Sequence, residues 1–397
     1  MEDAITRFEN LAFGMFLHFG LYSILGKGEW HLKLNGSENP ERYRQLKEVF
    51  KVKKNWAKEV VKVAKDAGCR YITLTTRHHD GFSLYDTCGL SNYDVMHSAV
   101  RRDLVAEFAE ECGKSGIVPF FYHTFADWDR EEYRNDFPAY LKYLRKSIEL
   151  LCTRYGQIGG IWLDGMFEKP DEDWQEDELY AMIRKYQPNA IIVNNSGLTA
   201  QGTLRHPQID CVTFERGKPF LTKWQDRHRA SEMCQVLNEH WGYAKFDINY
   251  KRIGELIGNF IDCRNYGCNF LLNTGLRGDG TVNLIDRGIL NAIGKWIRYY
   301  HSIIYSLRGT GIPCEGGEIL TDGKHFYVLI KDLNMDADPN VTLHGKCTTV
   351  RVGEKQKIRK AKWLDSKEEI PVNDNFFLAK PFWYGESMCV RIAQIWF

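Results

Sequence analysis

Short apolar runs, each separated from the next by a longer amphipathic segment, recur over the first two-thirds of this chain. That alternation is the pattern of βα units around a parallel sheet. Strands buried on both faces read as unbroken apolar runs. The runs predict strands at 13–19 (FGMFLHF), 70–75 (RYITLT), 117–122 (IVPFFY), 160–163 (GIWL), 190–193 (AIIV), 211–214 (CVTF), 234–237 (CQVL) and 269–272 (NFLL). Helix-like stretches such as NWAKEVVKVAKDAGC and RRDLVAEFAEECGKSG precede several of them. Gly68, Gly116 and Gly156 stand where a left-handed helix C-cap is needed. Eight units predict a closed (β/α)8, TIM-like barrel. An open doubly wound sheet is the alternative, but no G-x-G-x-x-G follows the first run.

Beyond about residue 300 helical periodicity fades. Runs of β character (KHFYVLIKD, TTVRV, FFLAKPFWY, MCVRIAQIWF) replace it, separated by turn residues at Asp322-Gly323 and Asn373-Asp374. The division expected is a catalytic barrel over 1–302 and a C-terminal β-sandwich over 303–397.

Charge narrows the function classes. With 53 basic and 52 acidic residues the chain is close to neutral, which argues against nucleic-acid or membrane-surface partners, since these demand excess Lys and Arg. The 11 Cys show no C-x-x-C and no metal-ligand spacing, so they read as reduced core residues. The first ten residues lack the basic start and apolar core of a signal peptide. The expectation is a cytoplasmic protein, and the sequence leaves assembly into a homo-oligomer open.

In a (β/α)8 barrel the chemistry lies at the C-terminal ends of the strands. At or just past the ends of the eight runs stand His18; Arg77, His78, His79 and Asp80; Tyr122 and His123; Asp164; Asn194 and Asn195; Glu215 and Arg216; Asn238, Glu239, His240 and Trp241; and Asn273. Neutral donors and acceptors, aromatic rings and carboxylates converging on one rim suit a sugar, whose hydroxyls both donate and accept. Two carboxylates suit glycoside hydrolysis, one attacking the anomeric carbon and one protonating the leaving oxygen. Asp164 follows the apolar GGIWL, and Glu215 follows CVTF; Glu232 and Glu239 are rivals for the second role. The His78-His79-Asp80 cluster raises a metal site, but adjacent His residues on a strand point to opposite sides and no H-E-x-x-H occurs. No metal or cofactor is expected.

The ordered segments FGMFLHFGLYS, GEWH, YITLTTRHHDGFSLYDT, SNYDV, GGIWLDG, WGY and NFLLNTGLRGDGTV resemble glycoside hydrolase family 29, the α-L-fucosidases, from about residue 8 to about residue 300. An exo-acting enzyme is expected, and the expected cytoplasmic location favours short fucosylated oligosaccharides over intact glycoproteins as substrates. The resemblance implies a retaining hydrolase. It implies Asp164 as nucleophile and sugar contacts from His18, His78, His79, Tyr122, Trp30 and Trp241. Glu215 in TFERG is the match for the acid/base, with Glu232 second. One departure stands out. Many members carry an Arg just past the fifth strand, and here the segment reads Val193-Asn194-Asn195-Ser196-Gly197; either Arg216 or Arg205 fills the space, or the nucleophile leans on Asn and His donors. Two other classes stay open at the level of sequence. One is a metal-dependent barrel hydrolase using His18, His78, His79 and Asp164, and the other is a carbohydrate-binding protein without turnover.

Overall fold

A computed structural model describes residues 3–34, 38–343, 345, 347–353 and 356–397. Eight parallel strands, β1 (Phe13–His18), β2 (Tyr71–Arg77), β3 (Val118–Thr124), β4 (Gly160–Asp164), β5 (Ile191–Asn194), β6 (Cys211–Glu215), β7 (Ala230–Val236) and β8 (Asn269–Gly275), pair in sequence order. β8 returns to β1 through a register running from Phe13 opposite Phe270 to His18 opposite Gly275, and so closes the barrel.

Aromatic side chains fill the interior. Phe16, Tyr71, Phe120, Tyr122 and Trp162 point inward and pack together. This filling explains the Gly159-Gly160 pair before IWLD, because a Cβ on Gly160 would sit 2.4 Å from the Ile191 carbonyl and 2.5 Å from the Phe120 ring. The helix Ala4–Leu11, capped by the Asp3 carboxylate accepting from the Thr6 N–H at 2.9 Å, stoppers the N-terminal end of the barrel. Its Phe8 ring lies 5.5 Å from that of Tyr71 and 5.3 Å from that of Phe120. Burying such a ring contributes about 1.5–3 kcal/mol. No sequence signal set this helix apart as a plug.

Helices Trp56–Ala67, Leu104–Ser115, Phe137–Arg154, Glu176–Tyr186, Ile253–Asn265 and Leu284–Tyr299 coat the outside. Gly68 and Gly116 close the first two in the left-handed conformation, as their positions predicted. Among the described residues no helix lies between β5 and β6 or between β6 and β7. The strand at 234–237 begins four residues earlier than its apolar run, at Ala230. Ser231 and Glu232 interrupt the apolar pattern there, because the Glu232 carboxyl is paired inside the barrel instead of being excluded from it.

Apart from Met335–Asp336 and Phe382–Trp383, which pair in parallel, the remaining strands form two antiparallel sheets facing each other. One has the order Cys314–Glu315, Thr348–Val352, Phe376–Ala379, Val372–Asn373. The other runs Glu369–Ile370, Lys360–Trp363, Arg391–Trp396, Phe326–Ile330, Glu318–Thr321, Arg308–Gly309. Val328, Val350, Trp363, Phe377 and Ile395 form the core between them. The sandwich is anchored to the barrel where Trp296 Nε1 donates to the Val390 carbonyl at 3.0 Å and Lys331 Nζ donates to Asp262 at 2.5 Å. No helix among the described residues is long and apolar enough to cross a membrane.

Candidate active site

Strand alternation decides which rim residues enter the barrel mouth. On β3, Tyr122 faces inward, whereas His123 faces outward and meets the Ser147 hydroxyl at 3.1 Å through Nε2. Arg77 likewise lies behind the barrel, 3.7 Å from Asp127. At the end of β5, Asn194 turns outward to the Tyr180 hydroxyl at 2.9 Å, and the next residue, Asn195, turns inward. β2 ends at Arg77, so His78 and His79 sit in a turn where strand alternation no longer applies. Both enter the mouth, with ring centroids 4.2 Å apart. A single cavity of about 560 Å³ is lined by all eight residues expected from the sequence: His18, Trp30, His78, His79, Tyr122, Asp164, Glu215 and Trp241.

Asp164, the last residue of β4, accepts from the Tyr122 hydroxyl at 2.9 Å on Oδ2 and from Asn195 Nδ2 at 3.1 Å on Oδ1. Burial pushes its pKa up, and the Asn195 and Tyr122 donors oppose that rise by favouring the ionised form. Asn195 Nδ2 also donates to Glu215 Oε2 at 2.8 Å, while Asn195 Oδ1 accepts from the Thr213 hydroxyl at 2.8 Å and fixes the amide's orientation. One nitrogen touching both carboxyl groups holds those two oxygens within about 6 Å of each other. Burial, and then the charge of Asp164, raise the Glu215 pKa. Donors thus favour the charged form of Asp164 against its burial, whereas the charge of Asp164 adds to burial in favouring the neutral form of Glu215.

The histidines are held neutral. Asn273 donates to the Trp241 carbonyl at 2.7 Å, which leaves its Oδ1 to accept from His18 Nδ1 at 2.7 Å. His18 therefore carries its proton on Nδ1, and Nε2 is a bare acceptor. Burial pushes its pKa down to about 3. His79 Nδ1 donates to the Thr124 hydroxyl at 2.6 Å, since that hydroxyl in turn donates to the Ala126 carbonyl at 3.0 Å. Its Nε2 stands 3.6 Å from Asp164 Oδ2, and burial pushes its pKa down to about 4. His78 stacks on Tyr122 with ring centroids 5.6 Å apart and planes 7° from parallel. Among the described residues no three His, Cys, Asp or Glu side chains converge in a way that could hold a metal ion.

Trp162 and Phe16 line the cavity at its base, with ring centroids 5.1 Å apart. Trp30 packs edge-on against Trp128 at 5.1 Å and nearly parallel to Phe167 at 6.2 Å, making one wall aromatic. Glu29 is a further lining residue, missed at the sequence level although GEWH was singled out. It is buried, accepts from the Gly242 N–H at 2.6 Å, and burial raises its pKa. The signal available was a carboxylate set directly between Gly28 and Trp30.

The rivals for the second carboxylate lie elsewhere. Glu232 is sealed inside the barrel, accepting from the Tyr71 hydroxyl and from Trp162 Nε1 at 2.9 Å, and lines no part of the cavity. Glu239 is exposed and accepts from Asn249 Nδ2 at 3.3 Å. Of the two candidate arginines, Arg205 is paired with Glu176 at 3.2 Å away from the cavity, and Arg216 lines it.

The family model for alpha-L-fucosidase matches residues 2–302 of the chain. The tissue alpha-L-fucosidase of Rattus norvegicus is 26% identical over 338 residues, covering 78% of this chain and 71% of its own length. The tissue alpha-L-fucosidase of Homo sapiens is 25% identical over 332 residues, covering 75% and 68%. Among solved structures, alpha-L-fucosidase isoenzyme 1 from Paenibacillus thiaminolyticus superposes with a TM-score of 0.82 at 26% identity, covering 99% of this chain and 98% of its own. A Bacteroides thetaiotaomicron alpha-L-fucosidase, trapped as a covalent intermediate with 2-fluoro-fucosyl fluoride, shares the fold with a TM-score of 0.80 at 21% identity, covering 100% and 96%.

Proposed function

The chain belongs to the α-L-fucosidase family of glycoside hydrolases, and on that premise we propose that it removes terminal fucose from short oligosaccharides by double displacement, with Asp164 as nucleophile and Glu215 as acid/base. The observation that carries this reading is the Asn195 bridge. Retaining glycosidases place their two carboxyl groups about 5–5.5 Å apart, and inverting ones about 6.5–9.5 Å to admit a water between them. Bridged oxygens within about 6 Å of each other leave less room than an inverting pair needs, which supports the retaining reading.

In the first step an Asp164 oxygen bonds to the anomeric carbon as the bond to the leaving oxygen breaks, and the Glu215 proton passes to that oxygen. In the second, the Glu215 carboxylate takes a proton from water, whose oxygen replaces Asp164 at the same carbon. His18 and His79, neutral and with Nε2 free to accept, suit sugar hydroxyls. The aromatic wall of Trp30 suits the flat apolar edge of the ring. A base closed by Trp162 and Phe16 admits one chain end, which supports exo action. No step calls for a metal or an organic cofactor.

Proton NMR of an aryl α-L-fucoside during turnover tests this. The α anomer of fucose should form first and then mutarotate; first formation of the β anomer would exclude double displacement.

A further inference from the structure

The fucose-sized base of the cavity does not account for its edge beside Glu215. There the loop after β5 brings Leu198 to the mouth with 59% of its surface exposed, although it lines the cavity. Arg216 follows Glu215 directly and holds a left-handed backbone, φ 54°, which a non-glycine residue adopts at a cost. Its guanidinium lies 5.3 Å from the centre of the Trp241 ring, and Nη2 donates to the Glu239 carbonyl at 3.0 Å. It is the one Lys or Arg side chain among the described lining residues.

A single side chain fixes these parts relative to one another. Gln201 Nε2 donates to the Leu198 carbonyl at 3.2 Å and to the Glu215 carbonyl at 2.8 Å. Gly217 leaves room for it, since a Cβ there would fall 1.6 Å from Gln201 Oε1. The edge is thus a braced arrangement in which Leu198 and Arg216 are both tied to the residue that must meet the leaving oxygen.

Resting on the reading of Glu215 as the acid, we infer that Leu198 and the Arg216–Trp241 pair form a leaving-group subsite for a neutral pyranose. A group bonded to the glycosidic oxygen must pass Glu215 on its way to solvent, and so must meet these side chains. Leu198 offers an apolar contact for the C–H face of a sugar ring. The guanidinium, spread over Trp241 with N–H groups beyond the one given to Glu239, donates to hydroxyl or acetamide oxygens. An anionic sugar is disfavoured, because the single guanidinium is already partly committed to the Glu239 carbonyl and shares its cavity with Asp164.

The test compares kcat/KM for an α-L-fucosyl disaccharide with a neutral reducing-end pyranose against methyl α-L-fucoside. Wild type, Leu198→Ser and Arg216→Ala are measured, each at its own pH optimum, with inhibition by free L-fucose alongside. The wild type should prefer the disaccharide. Each variant should lower that preference roughly five- to ten-fold through the disaccharide KM, while the fucose inhibition constant stays within about two-fold. An unchanged preference in active variants, or a parallel rise in the fucose inhibition constant, would overturn the subsite alone. A wild type inert on both substrates and blind to fucose would overturn the reading of the whole cavity with it.

Discussion

Asn195 Nδ2 donates to Asp164 Oδ1 at 3.1 Å, and the same nitrogen reaches Glu215. An amide thus serves both carboxyl groups at a point where many family members carry arginine. Asn195→Ala removes a hydrogen bond to a charged oxygen and the tie between the two groups. A loss of roughly 10–100-fold in kcat/KM is expected, with the fold retained by circular dichroism. Activity within two-fold of the wild type would show that the bridge is incidental.

The leaving-group dependence should separate the two carboxylates. In Glu215→Ala the disaccharide rate should fall by about 100-fold or more, since its alcohol needs a proton to depart. A nitrophenyl fucoside, whose phenolate leaves unaided, should show a much smaller loss in the first step under single-turnover conditions. Equal losses on the two substrates would transfer the acid role to another residue.

The pH profile follows from the same cavity. Burial raises both Asp164 and Glu215, so both limbs of the kcat/KM bell should lie above the usual carboxylate range. Activity falls on the acid side as Asp164 takes up a proton and on the alkaline side as Glu215 gives one up, with apparent values belonging to the pair. His18 and His79, at about 3 and about 4, are neutral across that range and should add no limb near the ordinary histidine value. Kinetics of Glu215→Gln on an activated aryl substrate check the assignment: the alkaline limb should disappear while the acid limb stays.

Much of this arrangement was legible because the chemistry follows directly on apolar runs. FLH, WLD and TFE each end a strand, and their last side chains enter the mouth. What the sequence concealed depends on contacts between distant segments. The start of β7 was hidden because Glu232 is polar, yet it is satisfied inside the barrel by Tyr71 and Trp162, 161 and 70 residues earlier in the chain. His78 and His79 both face the cavity because β2 stops one residue before them, a boundary that periodicity does not fix. Glu29 is explained by the Gly242 N–H, 213 residues along the chain. The open stretches after β5 and β6 lack helical periodicity, which is why the strands that follow them, β6 and β7, gave the least signal.

Glu232 yields a stability test independent of turnover. Burial raises its pKa to about 7 in the folded chain from 4.5. Its contribution is complete below the unfolded value, declines as pH rises from 4.5, and is lost once pH passes about 7. Glu232→Gln keeps the shape and stays neutral. Urea midpoints should therefore favour the wild type over the variant more at pH 5 than at pH 8, by at most roughly 3 kcal/mol. The opposite trend would mean that Glu232 is ionised where it sits.

The account stands on Asp164 being the atom donor that captures the sugar. The most direct measurement is to treat the protein with 2-deoxy-2-fluoro-α-L-fucosyl fluoride, record the intact mass, and map the modified peptide by tandem mass spectrometry. The expected result is one fluorofucosyl adduct per chain on Asp164, released slowly with return of activity. An adduct on Glu215 or another side chain, or hydrolysis of α-L-fucosides with no adduct forming, would contradict it.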